Sequence, residues 1–517
     1  MDRRKSLERL SATAHWDLIV IGGGATGLGV AVDAAARGFS VALVEAHDFA
    51  KGTSSRTTKL VHGGVRYLAQ GNYRLVKEGL RERALLLANA PHLAQPVAFV
   101  MPAYRWWERA WYGTGLRLYD LLAGDASLGK TESLGAYETQ RRLPTVEKAG
   151  LRGGVQYWDG QFDDARLAIA LARTAARHGA CLLNYCVAVD LLHEGKSIAG
   201  VAVRDMETGA RMELKAGCVV NATGVWTDQV RRFDRPDEPR MVEPSQGVHL
   251  VVDRSFLPGD RALLVPRTAD GRVLFAIPWL GATLLGTTDT PREGIVEEPR
   301  ATSEEIDFIL KEVGRYLHKP PTRAHVRSLW VGLRPLVKPV DARGKRTKAM
   351  SREHAIVTSD AGLVTVTGGK WSTYRAMAED VLEACFAREL LARKPGGVTP
   401  GLRLAGAPEK ARTPISAPPG LHLYGADAEA VTALPGAQRE LAPGFSEAMV
   451  RFAAREEFAR SVEDVLARRS RLLFLDAAKA ASLAEPVAAI LAEELGSGFD
   501  AAKSARDFEE LARAYRL

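Results

Sequence analysis

The first fifty residues alternate between short apolar runs and a glycine-rich turn. DLIVI (17–21) predicts a buried strand, and SVALVEA (40–46) predicts a second one. Between them, the turn GGGATG and the small-residue segment LGVAVDAAARG predict a tight turn followed by a helix. Two strands joined by one helix over about thirty residues form a βαβ unit. We therefore expect an α/β domain with a parallel sheet at the start of the chain.

Two later segments also run from an apolar strand into a glycine turn. GCVVNATGVW (217–226) predicts a strand and a turn, and residues 362–386 predict a strand, a Gly-Gly turn and a long helix. Residues 245–290 differ, because they hold short strand-like runs such as GVHLVV, VLFAIPW and TLLGTTDT. This pattern predicts a mainly β-rich, antiparallel insert between the α/β segments.

The last quarter of the chain has a third pattern. Residues 396–420 are rich in proline and glycine, which predicts a linker. Residues 421–517 carry apolar side chains at helical spacing, as in MVRFAAREEFARSVEDVLARR and PVAAILAEELG. We therefore expect a separate α-helical C-terminal domain.

Composition narrows the class of protein. A chain of 517 residues exceeds a typical single domain, so two or more domains are expected. Its four cysteines form no CxxC pair, which indicates a reducing compartment and gives no metal site. The N-terminus lacks the apolar core of a secretory leader, and no apolar run is long enough to span a bilayer.

The net charge of +8 favours an anionic partner: a nucleic acid, a membrane surface or a phosphorylated substrate. Residues 416–517 hold more Asp and Glu than Lys and Arg, so the positive excess belongs to the first 415 residues. The densest basic stretch is 334–352. Without a basic and aromatic platform on a known nucleic-acid fold, this distribution argues against nucleic acid.

The first turn fits the dinucleotide motif GxGxxG through Gly22, Gly24 and Gly27. These glycines allow a tight turn, a close approach of backbone to pyrophosphate, and close packing of helix on strand. Glu45 ends the next strand, where a carboxylate can bind ribose hydroxyls. NAD and FAD both use this turn. Its position at the N-terminus favours FAD, whose flavin end needs later segments such as NATG (221–224) and TGGK (367–370).

Several stretches together form a more specific pattern: IGGGATG (21–27), TSSRTTKLVHGGVRYL (53–68), DDARL (163–167), NATGVW (221–226), IPW (277–279), GTTDT (286–290), GLRPL (332–336), SREH (351–354) and TGGKWSTYR (367–375). On these stretches the chain resembles the FAD-dependent, membrane-associated glycerol-3-phosphate dehydrogenases. The resemblance is close over about residues 15–395 and weaker beyond. The joint presence of HGGVRYL, GTTD and GLRPL carries most of its specificity.

The resemblance implies a fold and a reaction. The fold is a glutathione-reductase-like FAD-binding domain (15–80, 150–244 and 355–395) interleaved with a β-rich substrate cap (81–149 and 245–354). The reaction is the oxidation of sn-glycerol 3-phosphate to dihydroxyacetone phosphate by hydride transfer to FAD, with electrons passed to a membrane quinone. Two alternatives stay open: a glycerol-3-phosphate oxidase that uses O2, and another hydroxy-acid- or amine-oxidising flavoenzyme of the same superfamily.

The turn chemistry and the resemblance together give the candidate FAD-binding residues. They are Gly22, Gly24, Ala25, Thr26, Gly27, Glu45, Ser54, Ser55, Thr58, Leu60, His62, Ala222, Thr223, Gly224, Gly369, Lys370 and Trp371. The hydroxyl groups among them are expected to donate to the pyrophosphate or the ribityl chain.

A small phosphorylated substrate needs cations, and the planar donors of arginine suit a phosphate. The matched motifs offer Arg66, Arg334, Arg352 and Lys370. Arg334 is the best supported, because it lies between SLWVG and PL, where an unpaired cation would be costly. Tyr67 and Thr287 are the candidate hydrogen-bond partners of the substrate.

Alcohol oxidation also needs a group that removes the hydroxyl proton. His62 and His249 compete for that role, and we prefer His249 as the base, with Arg334 stabilising the alkoxide. The residues alone do not decide between the two histidines.

Residues 101–120 (MPAYRWWERAWYGTGLRLYD) concentrate aromatic and basic side chains, including Trp106, Trp107 and Trp111. This density is typical of a bilayer interface and predicts peripheral docking on the inner face of the cell membrane, beside the path of the quinone. The alternative is a buried aromatic corner. The loosely matched C-terminal region is a candidate for homodimer contact.

Overall fold

The computed structural model describes residues 2–64, 72–337 and 354–517. Within these ranges the strands are labelled β1 to β20 in chain order: Trp16–Ile21, Val41–Val44, Leu60–Val61, Ala94–Ala103, Glu132–Leu134, Gly153–Phe162, Cys181–Leu183, Cys186–Glu194, Ser197–Asp205, Arg211–Asn221, Val242–Asp253, Arg261–Val265, Leu274–Trp279, Ala282–Gly286, Thr290–Pro291, Ser328–Val337, His354–Thr358, Leu363–Gly368, Glu440–Ala442 and Phe445–Ser446.

The α-helices of the same ranges are labelled α1 to α15: Arg3–Ala12, Ala25–Ala36, Tyr73–Asn89, Glu108–Ala123, Ala136–Arg142, Asp164–Arg177, Thr227–Asp234, Ser303–Gly314, Tyr374–Ala387, Ala428–Thr432, Glu447–Glu456, Leu472–Leu475, Ala477–Ala481, Ala484–Leu495 and Ala501–Arg513. A π-helix spans Asp464–Arg469.

The first sheet has the order β17-β18-β10-β1-β2-β7, and β8 and β9 extend it beside β10. Its central strands β18, β10, β1, β2 and β7 are parallel. Strands β1 and β2 are almost entirely apolar and buried, as expected for a parallel sheet covered on both faces. The predicted βαβ unit and the α/β class are confirmed.

The second sheet has the order β15-β11-β14-β13-β12-β4-β6-β3, with β16 paired to β11 and β5 to β6. Strand β11 pairs antiparallel with β14 and with β16, which confirms the antiparallel insert. Strands β3 and β6 come from stretches that the sequence assigns to the FAD-binding part, yet they pair in this second sheet. Part of the chain that the sequence assigns to the FAD-binding domain therefore belongs to the second sheet.

The C-terminal region is mainly helical, as predicted, with one small hairpin of β19 and β20. It does not pack by itself, because Phe474 joins a hydrophobic core that also holds Trp279 and Trp330 of the second sheet. The predicted linker 396–420 is also fixed in place: its Ile415 carbonyl accepts a hydrogen bond from the Leu280 amide at 2.9 Å. The second sheet and the C-terminal region share one core.

This shared core predicts the effect of Phe474→Ala. Phe474 is buried, and its ring lies edge-on to Trp330 with centroids 4.9 Å apart. Its loss should reduce the free energy of unfolding by about 3–5 kcal/mol. In calorimetry, the variant should unfold in a single transition at a lower temperature than the parent. The exposed Leu121→Ala is the control and should leave that transition unchanged. Two separate transitions, with one of them unshifted, would contradict a shared core.

Candidate active site

The glycine turn lies between strand β1 and helix α2. Gly22 has φ +110°, and a Cβ added at Gly27 would lie 1.9 Å from the Gly22 carbonyl oxygen, so both positions require glycine. Helix α2 starts at Ala25, and its N-cap residue Gly24 has no side chain to cap the first turn. The Ala25 amide donates to Ser54 Oγ at 2.9 Å. This open helix start, continued by Thr26, fits a pyrophosphate.

Glu45 follows strand β2, as predicted. Its carboxylate accepts hydrogen bonds from the amides of Gly23 at 2.6 Å and His47 at 2.9 Å. Burial raises the pKa of the Glu45 carboxyl, and these two N–H groups oppose the shift. Glu45 therefore ties the glycine turn to the end of the neighbouring strand.

The other two predicted cofactor turns meet the glycine turn. A Cβ at Gly22 would lie 2.7 Å from the Ala222 carbonyl oxygen and 3.2 Å from the Thr223 Cα, so these backbones are in close contact. The Gly224 carbonyl accepts a hydrogen bond from Thr367 Oγ1 at 3.1 Å. The three turns follow parallel strands β1, β10 and β18, at the sheet edge where α/β proteins bind nucleotides.

The segment Thr53–Lys59, which we call the serine loop, connects the two sheets at this edge. Trp371 Nε1 donates to the Ser54 carbonyl at 2.9 Å, which joins the loop to the Gly369–Lys370 turn. On the far side, Thr58 Oγ1 lies 2.9 Å from His249 Nε2. The serine loop thus contacts both the predicted cofactor turns and the predicted base.

His249 lies on strand β11 and is 2% exposed. Its ring stacks on Trp330, with centroids 5.2 Å apart and planes at 17°. Burial, with smaller contributions from Lys59 and Arg334, holds the pKa of His249 well below its ordinary value. Nδ1 has no hydrogen-bond partner among the described residues. Burial therefore favours the neutral form of the imidazole.

Arg334 lies four residues beyond Trp330 on strand β16, so both side chains share one face. Its guanidinium donates to the Thr288 carbonyl at 3.1 Å and to Asp289 Oδ1 at 2.8 Å. A weaker bond of 3.3 Å reaches Thr287 Oγ1. The structure brings Arg334 and Thr287 together as predicted, and adds Asp289, which offsets part of the cationic charge.

The remaining predicted residues fall into three sets. His62 follows strand β3 and is exposed, whereas His249 is buried. Leu60 lies on β3 and pairs with Gln161 of β6. Lys370 and Gly369 line a cavity of about 280 Å³ together with His354. The third set of predicted residues, Arg66, Tyr67 and Arg352, lies outside the described residues, as does most of the basic stretch 334–352.

Comparison with known proteins gives the family. Residues 17–375 match the family model "FAD dependent oxidoreductase", and residues 416–502 match "C-terminal domain of alpha-glycerophosphate oxidase". A mitochondrial glycerol-3-phosphate dehydrogenase of Arabidopsis thaliana is 40% identical over 95% of this chain and 85% of its own length. The chain belongs to the FAD-dependent oxidoreductases, in the glycerol-3-phosphate dehydrogenase family.

Two further relatives define how far this likeness extends. The glycerol-3-phosphate dehydrogenase of Bacillus halodurans, solved with FAD, superposes with a TM-score of 0.80 at 30% identity, over 99% of this chain and 97% of that one. The mitochondrial enzyme of Macaca fascicularis is 44% identical over 80% of this chain. This chain covers 58% of the length of that relative. The predicted family, fold and FAD cofactor are confirmed.

Sequence reasoning missed several buried charged residues around the serine loop. Lys59 and Asp164 lie in quoted motifs, and a charged residue beside apolar ones, as in TKLV and DDARL, was an available signal. Lys59 Nζ lies 2.6 Å from Asp164 Oδ2, with both side chains fully buried. Arg471 joins them from the C-terminal region. Nothing in the sequence around Arg471 indicates this position.

The glycine turn generates a prediction about cofactor binding. Gly27→Ala should abolish FAD binding, because the new Cβ would overlap the Gly22 carbonyl and push helix α2 away from strand β1. The purified variant should be colourless, with helix content by circular dichroism close to that of the parent. Gly115→Ala in helix α4 is the matched control, since a Cβ there meets nothing within 4 Å. A yellow Gly27→Ala protein would refute the close-packing argument.

Proposed function

We propose that this chain oxidises sn-glycerol 3-phosphate to dihydroxyacetone phosphate and passes the electrons to a membrane quinone. The observation that carries the proposal is a buried His249 that contacts the serine loop and shares a sheet face with Arg334. The names of the relatives support the same substrate. When bound, FAD would supply the hydride acceptor and take up the C2 hydrogen with its electron pair.

The proposed chemistry separates the two hydrogens of the alcohol. As the C2 hydrogen leaves with its electron pair, the hydroxyl proton would go to His249 Nε2 and the C–O bond would become a carbonyl. In the resting site, Thr58 Oγ1 occupies the position of a partner for Nε2. We propose that the substrate hydroxyl replaces Thr58 as the hydrogen-bond partner of Nε2.

Charge makes this base stronger when substrate is present. Lys59 and Arg334 help to lower the pKa of His249 in the resting site. A phosphomonoester brings a charge of about −1.5 to −2 at neutral pH, which offsets those cations. Its binding should therefore raise the pKa of the imidazole and favour proton transfer. Arg334, with Thr287, is the proposed contact for the alkoxide or the phosphate, and Arg66, Tyr67, Arg352 and Lys370 are proposed to complete the substrate site.

The substrate assignment can be tested without oxygen. Adding glycerol 3-phosphate to the FAD-loaded protein should bleach the flavin absorbance in stopped flow. His249→Asn should slow the bleaching by about 10²- to 10⁴-fold, as for loss of a general base. His62→Asn is the matched control and should stay within a few-fold. Absence of bleaching with FAD bound would reject the substrate. If His62→Asn bleached slowly and His249→Asn bleached at the parent rate, His62 would be the base.

The electron acceptor needs its own measurement, because the C-terminal family model takes its description from an oxidase. The quinone proposal expects rapid substrate turnover with a soluble quinone and little peroxide in air without it. One peroxide formed per substrate, at the quinone-supported rate, would instead identify an oxidase.

Helix α4 and the residues before it support the membrane part of the proposal. Trp106, Trp111 and Leu121 are 81%, 72% and 75% exposed, so the alternative of a buried aromatic corner fails for these side chains. The opposite face of the helix is buried through Leu116 and Tyr119. Aromatic and apolar side chains exposed beside arginines suit a lipid headgroup region. Among the described residues, no helix is both long and apolar enough to cross a bilayer.

We therefore propose peripheral docking of this face on the inner surface of the cell membrane. The triple variant Trp106→Ser, Trp107→Ser and Trp111→Ser should lose most of its co-sedimentation with vesicles that contain anionic lipid. Met206→Ser, which removes a half-exposed side chain elsewhere, should sediment as the parent does. Unchanged sedimentation of the triple variant would reject docking by this face. A shift from dimer to monomer in gel filtration would assign the face to a homodimer.

A further inference from the structure

The carbonyl of Ser55, in the middle of the serine loop, lies between two buried cations. It accepts a hydrogen bond from Lys59 Nζ at 2.7 Å and another from Arg471 Nη2 at 2.9 Å. Both cationic side chains are fully buried. The bond from the Arg471 guanidinium is charge-assisted, whereas burial lowers the pKa of Lys59 to about 7 although Asp164 opposes that shift. Together the two bonds hold the orientation of that peptide group.

Asp164 holds the two cations and the loop together. Its carboxylate accepts hydrogen bonds from Lys59 at 2.6 Å and from Arg471 at 3.1 Å. The same carboxylate accepts from the Thr57 amide at 3.1 Å and from Thr57 Oγ1 at 2.7 Å. Every one of these partners is either in the serine loop or in direct contact with it.

The opposite side of the loop faces the cofactor turns. Ser54 contacts the start of helix α2 through Oγ and Trp371 through its carbonyl, while Thr58 contacts His249. The Ser55 carbonyl is turned away from these groups, toward the C-terminal region. Through this carbonyl, Arg471 of the C-terminal region contacts the same loop that contacts the predicted cofactor turns.

Arg471 reaches the loop from an unusual backbone. It lies between the π-helix Asp464–Arg469 and helix α12, and its φ is +65°. A left-handed conformation costs a non-glycine residue about 1–2 kcal/mol, and such strain concentrates at functional sites. Arg471 Nη1 also donates to the Ala467 carbonyl at 2.8 Å, so the side chain is fixed to the π-helix that carries it.

We infer that Arg471 is a positioning residue for the FAD site: it holds the Ser55 carbonyl so that the serine loop presents its hydroxyl groups to the cofactor. The C-terminal region thereby contributes to cofactor binding across the boundary between the two family models. This inference rests on FAD binding alone and does not depend on which alcohol is oxidised.

Three variants at Arg471 separate its possible roles. Arg471→Met removes the bond to the Ser55 carbonyl and the bond to Asp164 while filling most of the space. Arg471→Lys keeps a cation that can reach one acceptor. Arg471→Gly loses the side chain but suits the left-handed backbone, so it relieves the strain. Arg173→Met is the matched control, because Arg173 forms a buried ion pair with Asp427 of the C-terminal region at 2.6 Å, away from the serine loop.

FAD affinity, from the fluorescence of released FAD, and the visible circular dichroism of bound flavin are the readouts. The dissociation constant of FAD should rise about tenfold or more in Arg471→Met, as expected for the loss of a charge-assisted hydrogen bond. Arg471→Gly should show the same loss and an altered flavin dichroism. Arg471→Lys should recover part of the affinity. Arg173→Met should lower the melting temperature and leave the FAD affinity within about twofold.

The opposite pattern would overturn the inference. If Arg471→Gly binds FAD as the parent does, the guanidinium has no positioning role. If Arg471→Met and Arg173→Met lose stability alike and both keep the FAD affinity and flavin dichroism, Arg471 is a structural ion pair. Should Arg471→Met fail to fold, the comparison of Arg471→Lys with Arg471→Gly decides the question by the same two readouts.

Discussion

The arrangement of this site depends on a cluster of charges buried without access to water. Asp163 and Asp164 begin helix α6, and Lys59 and Arg471 meet them from the serine loop and the C-terminal region. Removing one partner from such a pair typically costs about 3–5 kcal/mol, because the other charge stays buried. The cluster therefore forces three distant chain segments into one arrangement. Aromatic rings of Trp279, Trp330 and Phe474 surround the cations and complete the enclosure.

This enclosure has an electrostatic consequence for the neighbouring histidine. Trp330 contacts Lys59 through its ring and stacks on His249, so the cation acts on the imidazole at short range through an apolar medium. The site then favours neutral imidazole and added negative charge. Both properties suit the oxidation of a phosphorylated alcohol. Without Asp163 and Asp164, the buried charges of Lys59 and Arg471 would lower the stability of the folded protein.

Local steric rules explain how much of the fold could be predicted. The spacing of Gly22, Gly24 and Gly27 reflects contacts within one βαβ unit and its neighbouring strand, since a Cβ at Gly22 or Gly27 would collide with backbone atoms. Short apolar runs in the β-rich insert likewise predict buried strands, and β12, β13 and β14 are buried along almost their whole length. The interleaving of the two sheets could not be predicted in this way. Strands β3 and β6 carry no signal for which sheet they join, because either sheet would bury them.

The candidate site could be predicted only where its chemistry was local to a motif. Arg334 was predicted because an apolar flank makes an unpaired cation costly, whereas His249 and His62 differ in burial, which sequence spacing does not report. Exposure of Trp106 and Trp111 required the structure for the same reason.

Arg471 marks the physical limit of such reasoning. Its role arises from a carbonyl more than four hundred positions earlier in the chain, brought near by a core that the second sheet and the C-terminal region build together. Sequence periodicity can predict that helices such as α14 and α15 exist, since apolar spacing within a helix is local. It cannot predict which buried acceptor a single arginine will reach. The shared core that contains Phe474 also places Arg471 beside the serine loop, so the C-terminal region contacts the loop that reaches the predicted FAD-binding turns.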